Sequence, residues 1–288
     1  MSTSVSTSFV KQYERDVHHE FQTMGGILRP AVRMKTGVVG SSTTFQKIGA
    51  GIATTKARHG VITPMNQDHT AIECTITDRY AGDYVDKKDL EKLSIDERGA
   101  IAKAGAWACG RAIDSDLFTA MDGTTQTAVS FTLTSAATVR NSLLGIAKAL
   151  NANKVPNDGQ RYCCLTANAW AAAETVEQFS SADYVDANGM PFKNGAPFPM
   201  WRRWMGILWT NHQELPNAGE SSGAKGFAWH KNAVGYAMGG DIEADFDWEG
   251  NRAAWFIDHM FSGGACLIDD LGVIEITIGD DTAALPTT

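Results

Sequence analysis

Positive charge, paired cysteines and long apolar runs are what this chain has little of. Lys and Arg number 25 against 33 Asp and Glu, a formal net charge of −8. That balance excludes a general nucleic-acid binder, which concentrates basic residues on one face, and it suits a surface that stays near DNA without adhering to it. The five cysteines, Cys74, Cys109, Cys163, Cys164 and Cys266, are odd in number, lack C-x-x-C spacing and sit mostly in apolar segments. They read as buried, reduced thiols rather than a disulfide framework or a zinc site. No apolar run approaches the roughly 18 residues of a membrane-spanning helix. The opening MSTSVSTSF has neither the basic start nor the apolar centre of a signal peptide.

Chemistry-bearing motifs are missing as well. The seven histidines form no H-x-x-x-H or H-E-x-x-H pair. There is no G-x-S-x-G elbow, and GVVGSS and GAGIATTK lack the spacing of a phosphate loop. Asp245–Gly250 begins like a calcium loop, but the twelfth position, where such a loop needs a bidentate Glu, is Phe256. The run Asp241, Glu243, Asp245, Asp247, Glu249 instead alternates with Ile242, Ala244, Phe246 and Trp248. This is the pattern of a strand with one wet acidic face and one buried apolar face. Trp201, Trp204 and Trp209, around Arg202-Arg203, suit core and subunit contacts better than a nucleic-acid stacking platform. No catalytic, cofactor-binding or metal site is expected.

What the chain does have is material for a large core: 288 residues, 43% of them hydrophobic. The stretch Ser94–Met121 predicts a helix about 40 Å long. Ser94 and Glu97 form a capping box at its start, and Asp122-Gly123 stops it. Its apolar stripe runs Ile101, Ala104, Ala108, Ala112 and continues through Ile113, Leu117 and Met121. Gly99, Gly105 and Gly110 interrupt it on different faces, which implies close neighbours on several sides.

Before this helix, Phe9, Val10, Tyr13, Val17 and Phe21 recur at helical spacing, an arm that docks on something else. Residues Thr36–Ile76 read as two long strands joined at a flexible tip around Gly49-Ala50-Gly51. Their apolar residues (Val38, Phe45, Ile48, Ile62, Ile72, Ile76) are too sparse for a core, so this ribbon must lie on another surface. DRYAGDYVDKKDLEKL is expected to lead through a short helix into the long one. Then follow the strand VSFTLT, a helix capped by Ser135 and marked by Val139, Leu143, Ile146 and Leu150, the strand RYCCLTA, and a helix AWAAAETVEQF capped by Asn168. A long polar loop, 180–199, precedes the strand WMGILWTN. GFAWHKNAVGYAM is a strand or strand–helix step, two strands turn at Glu249-Gly250-Asn251, and VIEITIG is a last strand. The class is α+β, with an interleaved order that suggests discontinuous domains.

Arm, ribbon, long helix and a second domain that returns to the first, with RYCCLTANAW, WMGILWTNHQELP, GFAWHKNAVGYAM–DIEADFDWEG and FSGGACLIDDLGVIEITIG in that order, resemble the major capsid proteins of tailed bacteriophages. That fold is shared with encapsulins. The resemblance covers nearly the whole chain and implies an N-terminal arm (1–35), an extended loop (36–76), a peripheral domain (77–123 and 233–271) with the long spine helix, and an axial domain (124–232 and 272–288). The axial loop Tyr184–Pro199 would line five- and sixfold axes. It implies a structural subunit of the virion that self-assembles, in the host bacterial cytoplasm, into hexamers and pentamers of an icosahedral head around double-stranded DNA. Partners would be other copies, a portal, a separate scaffolding protein if there is one, decoration proteins in some relatives, and no membrane. Intersubunit contacts would involve Phe45, Lys47, Ile48, Lys56 and Arg58 of the loop and Glu249, Asn251 and Arg252 of the turn. In some relatives a loop lysine crosslinks to a neighbour's asparagine, and Lys47 and Lys56 lie in the corresponding loop. The alternatives are an encapsulin-like compartment shell and a soluble enzyme with an unfamiliar site.

Overall fold

A computed structural model describes residues 25–88, 97–180, 201–220 and 223–279. The arm helix over 9–21, the Ser94–Glu97 capping box and the axial loop Tyr184–Pro199 lie outside the described residues.

Thirteen strands form three sheets among the described residues. The first holds β1 (Arg33–Lys35), β10 (Val234–Met238), β12 (Ala254–Leu267) and β11 (Glu243–Glu249), with β4 (Thr77–Asp86) also paired to β12. The second has the order β5 (Val129–Phe131), β13 (Val273–Ile278), β9 (Ala224–His230), β6 (Arg161–Leu165), β8 (Ile207–Asn211), β7 (Arg202–Trp204). The third is the ribbon, β2 (Ser42–Ile48) against β3 (His69–Thr75). The ribbon is as expected, but its limbs join through residues 49–68, a longer connection than the flexible tip expected around Gly49-Ala50-Gly51.

The 14-residue β12 organises the first sheet. Its last residues pair with β10, while Ala254–Met260 run between β11 on one side and β4 on the other. Here the structure adds to the sequence reading: Thr77–Asp86 is a strand, and helical backbone follows only at Lys87-Lys88. The stretch lacks an apolar helical stripe, and the free edge of β12 offers all ten of its residues a partner.

Helix α1 (Glu97–Asp122, 26 residues) lies over β12 and β4. Cys109, Ile113, Leu117, Phe118 and Met121 are buried against Phe227, Trp229, Tyr236 and Phe261, whereas Ile101, Ala104 and Ala108 are only partly covered. Two interior glycines answer to close neighbours. A Cβ on Gly105 would stand 2.5 Å from Nδ1 of His259, and the backbone of Gly25-Gly26 lies against Gly110, where the Gly26 N–H donates to the Gly110 carbonyl at 3.0 Å. Gly25 itself has φ +68°, a left-handed conformation that a side chain would strain.

The second sheet packs on α2 (Ala136–Ala152) through Val139, Leu143, Ile146 and Leu150. Ser135 caps this helix as expected: its Oγ accepts the Thr138 N–H, and Thr138 Oγ1 accepts the Ser135 N–H. The next cap differs from expectation. Thr166, not Asn168, is the extended residue whose hydroxyl accepts an amide, from Ala169, and opens α3 (Ala167–Glu174). The expected single helix also breaks at Thr175, whose hydroxyl donates to the Ala172 carbonyl at 2.7 Å, before the short α4 (Glu177–Ser180). WMGILWTN is a hairpin rather than one strand. Met205 and Gly206 take φ +50° and +75°, the positive pair that a tight two-residue turn requires, and Trp204 pairs with Ile207.

The chain passes between the two sheets twice more, through one-turn 3-10 segments at Lys231–Ala233 and Asp270–Gly272. The crossings are tied together, since the Ile268 N–H donates to the Ala233 carbonyl at 2.8 Å and Gly272 packs against Ala233.

Candidate assembly surface

The surfaces that can meet another molecule are carried on a rigid frame, and three polar joints hold it. Asp114 of α1 is fully buried. Its two oxygens accept the Leu28 and Ile27 N–H groups and face Nε2 of His212, each at 3.2 Å. His212 Nδ1 accepts the Glu214 N–H, so the imidazole carries its proton on Nε2, toward the carboxylate. One side chain thus fastens the entering chain and the segment after β8 to the spine. At the far end of α1, Asp270 accepts four hydrogen bonds, from the Thr125 N–H and from the side chains of Thr124, Thr125 and Gln126. Partial loss of water by itself would raise its pKa, but the four donors outweigh this and lower it to about 2. Third, the buried Arg202 guanidinium sits over Trp170 and Phe179 with Nη1 2.7 Å from Glu174.

On this frame the ribbon has two distinct parts. Its root belongs to the subunit's own core. Phe45, only 3% exposed, packs with Cys74, Ala237, Cys266 and Ile268, against a Gly235 too crowded for a Cβ. Phe45, expected at an intersubunit contact, has its ring in the glycine gap of β10. Val38, Ile72 and Ile76 lie against the same cluster, so with Phe45 four of the six apolar residues read from the ribbon are used at home. Lys47 is bound to Asp269 of its own subunit at 2.7 Å.

The outer part is different. After Ile48 pairs with His69, a hydrogen bond from the Gly49 N–H to the Asp68 carbonyl closes the ladder, and residues 50–67 have no strand partner. Ile48, Ile52, Val61, Ile62 and Met65 are exposed there, Val61 at 92%. Lys56 and Arg58 are exposed on the same loop. Large apolar side chains in this number on an open loop mark a contact surface.

The turn between β11 and β12 brings the other expected residues together. Glu249 pairs with Arg252 at 3.3 Å and accepts the Tyr84 hydroxyl at 3.1 Å, while the Arg252 guanidinium lies 4.4 Å over the Tyr84 ring. Partial desolvation, then the Glu249 hydrogen bond, raises the Tyr84 pKa. Asn251 is exposed at the turn. Nothing brings this group to Lys56 or Arg58 within one subunit.

The alternation in β11 is real, but its apolar face is not buried. Phe246 and Trp248 pair with Ile257 and Trp255, on the helix side of the sheet, yet they remain 51% and 39% exposed. Ile257 and Val85, on the same face, are buried. β11 is the edge strand, and α1 packs on β12 and β4. The Trp248 ring meets Trp255 at 5.2 Å and the Lys87 ammonium at 5.8 Å. Asp245 and Asp247 face solvent as expected. On their side of the sheet Tyr80 and Tyr84 also lie open, residues that sequence reasoning missed because Thr77–Asp86 did not read as a strand. Alternation in RYAGDYV was the signal available. Among the described residues, no three His, Cys, Asp or Glu gather as metal ligands.

Discontinuous sheets, a 26-residue spine, a projecting ribbon and apolar loops without a partner define a shell-forming subunit of the tailed-phage capsid fold. The model of the phage capsid protein family matches residues 5–279, and the chain belongs to that family. It is a major capsid protein, a structural component of the virion capsid that associates with further copies of itself. Among solved structures, the chain is similar to the capsid of cyanophage P-SCSP1u, with a TM-score of 0.71, 15% identity and coverage of 96% of this chain and 95% of that one. It is also similar to the native GTA particle capsid (0.68, 13%, 96% and 97%) and to the capsid of Ralstonia phage GP4 (0.68, 10%, 100% of both). No curated protein matches it by sequence. The family assignment does not favour a compartment shell.

Proposed function

We propose that this subunit forms closed five- and sixfold rings through one head-to-tail interface, in which the loop 49–68 of each copy lies across the next. The observation that carries this is the division of the ribbon: a root buried in its own subunit, and an outer loop whose Ile52, Val61, Ile62 and Met65 are exposed. Burying each such side chain on a neighbour contributes about 1.5–3 kcal/mol toward the roughly 1–2 kcal/mol per residue needed to order the loop backbone; the four together cover only part of that cost. The rings build an icosahedral head around double-stranded DNA, without catalysis, and assemble in the bacterial cytoplasm with a portal and, where present, a scaffolding protein. In this reading 77–123 and 233–271 are the peripheral domain, 124–232 and 272–288 the axial domain, and 1–35 the arm. Ile48, Lys56 and Arg58 of the loop and Asn251 and Arg252 of the turn face neighbours. Glu249 orders the turn.

Because Ile48 and His69 are directly paired, residues 49–68 can be replaced by Asn-Gly, the pair suited to a two-residue hairpin. The shortened chain is expected to keep the circular dichroism and unfolding midpoint of the full subunit but to form no closed particles by electron microscopy. Sturdy closed particles would overturn the clasp; an unfolded subunit would put the loop in the core.

A further inference from the structure

We infer that Cys74 and Cys266 are a peroxide-oxidisable thiol pair whose disulfide would bond the root of the ribbon covalently to β12. The two sulfurs come from strands far apart in sequence that cross at one place. β3 passes over β12 so closely that the Thr75 carbonyl occupies the position a Cβ on Gly264 would take. The Cys74 thiol donates to the Gly264 carbonyl at 3.2 Å. Cys266 stands two residues further along β12, on the same face of the strand as Gly264. Both lie in the small cluster of Phe45, Ala237 and Ile268 that seats the ribbon.

Cys74, whose thiol meets the Gly264 carbonyl, is assigned as the nucleophile and Cys266 as its resolving partner. The Cys266 thiol, with the Ala237 amide, supports negative charge on Cys74 and lowers its pKa against the effect of burial. Cys266 is pushed up, first by that same contact and then by burial, and keeps its proton. The remaining thiols are not poised this way. Cys163 and Cys164 are successive residues of β6, fully buried, and burial raises both. Successive strand residues point to opposite faces and cannot reach a common partner. Cys109 is raised by burial and by Asp258.

The oxidant is a peroxide, small enough to reach a thiol under a packed strand. The Cys74 thiolate attacks one peroxide oxygen, the O–O bond breaks, and hydroxide leaves to take up a proton as water. The resulting sulfenic acid is attacked by the Cys266 sulfur; the S–O bond breaks, the S–S bond forms, and a second water departs with the Cys266 proton. Two electrons pass from the two thiols to one hydrogen peroxide, which becomes two waters.

The purified full chain is treated with hydrogen peroxide at neutral pH, quenched with catalase, unfolded in guanidinium with N-ethylmaleimide, and analysed by mass spectrometry before and after digestion. The expected result is a fall in alkylated thiols from the five of the untreated chain to three, with one intramolecular peptide pair joining Cys74 to Cys266, and full recovery on reduction with dithiothreitol. In C266S, dimedone is expected to label Cys74; in C74S it should leave Cys266 unlabelled. The inference is overturned if five thiols remain under a dose that oxidises the methionines, if the lost thiols map to any other pair or between chains, or if Cys74 goes to sulfinic acid with Cys266 still free. The wild-type measurement decides the matter even where a variant fails to fold.

Discussion

Replacing Asp114 by alanine should separate the frame from the surface it carries. The carboxylate is fully buried and serves three donors: the Ile27 and Leu28 N–H groups and the Nε2–H of His212. Alanine leaves all three without their acceptor. The Leu28 amide and the His212 ring are buried where water does not replace the bond, while Ile27 is half-buried and partly recovers. A hydrogen bond to a charged group contributes about 1.5–3 kcal/mol net, and an orphaned buried donor costs about 1–3 kcal/mol. With two full losses and one partial, the expected destabilisation is about 3–5 kcal/mol. At roughly 2–4 °C per kcal/mol for a chain of this size, the unassembled subunit should melt roughly 6–20 °C lower. Asparagine is only a partial rescue. Its one oxygen can serve one side, and its amide then points two N–H donors at another donor. D114N should therefore fall between the two by urea unfolding monitored by tryptophan fluorescence. A D114A subunit within about 1 kcal/mol of the parent would show that this joint does not hold the frame.

Three further outcomes are expected. Asp270 has a folded pKa of about 2 against an ordinary 3.8, so its contribution is fully present above about pH 4 and is lost as pH falls through 2; D270N should flatten the dependence of melting temperature on pH in that window, and an unchanged slope would refute the role of its four donors. G99A, at an exposed position of α1, should gain up to about 1 kcal/mol from helix propensity, whereas G105A, facing the His259 ring, should lose about 1–3 kcal/mol by overpacking; equal responses in urea titrations would contradict the packing. F246A should change subunit stability by under about 1 kcal/mol while I257A, its buried cross-strand partner, loses about 2–5 kcal/mol; a costly F246A would mean that the edge strand is covered within the subunit.

Much of the architecture was legible residue by residue, because it depends on neighbours in sequence. The Val139, Leu143, Ile146, Leu150 stripe and the Ser135 cap are settled within a few turns of chain, and the acid–apolar alternation of β11 within one strand. The order of these elements carried the capsid resemblance. What tertiary structure decided is where each face finds its cover. Alternation tells that Phe246 and Trp248 share a face, but only the reach of α1 over β12 and β4 decides that Ile257 is sealed and they are not. Thr77–Asp86 became a strand because β12 presented a free edge, a fact located nearly two hundred residues away in the chain. Phe45 turned inward because Gly235 leaves room for its ring, and Asp114 is buried because Leu28, 86 residues before it, and His212, 98 residues after it, arrive to satisfy it. Local geometry is written in local residues; burial and pairing are properties of whichever distant segment folds against them.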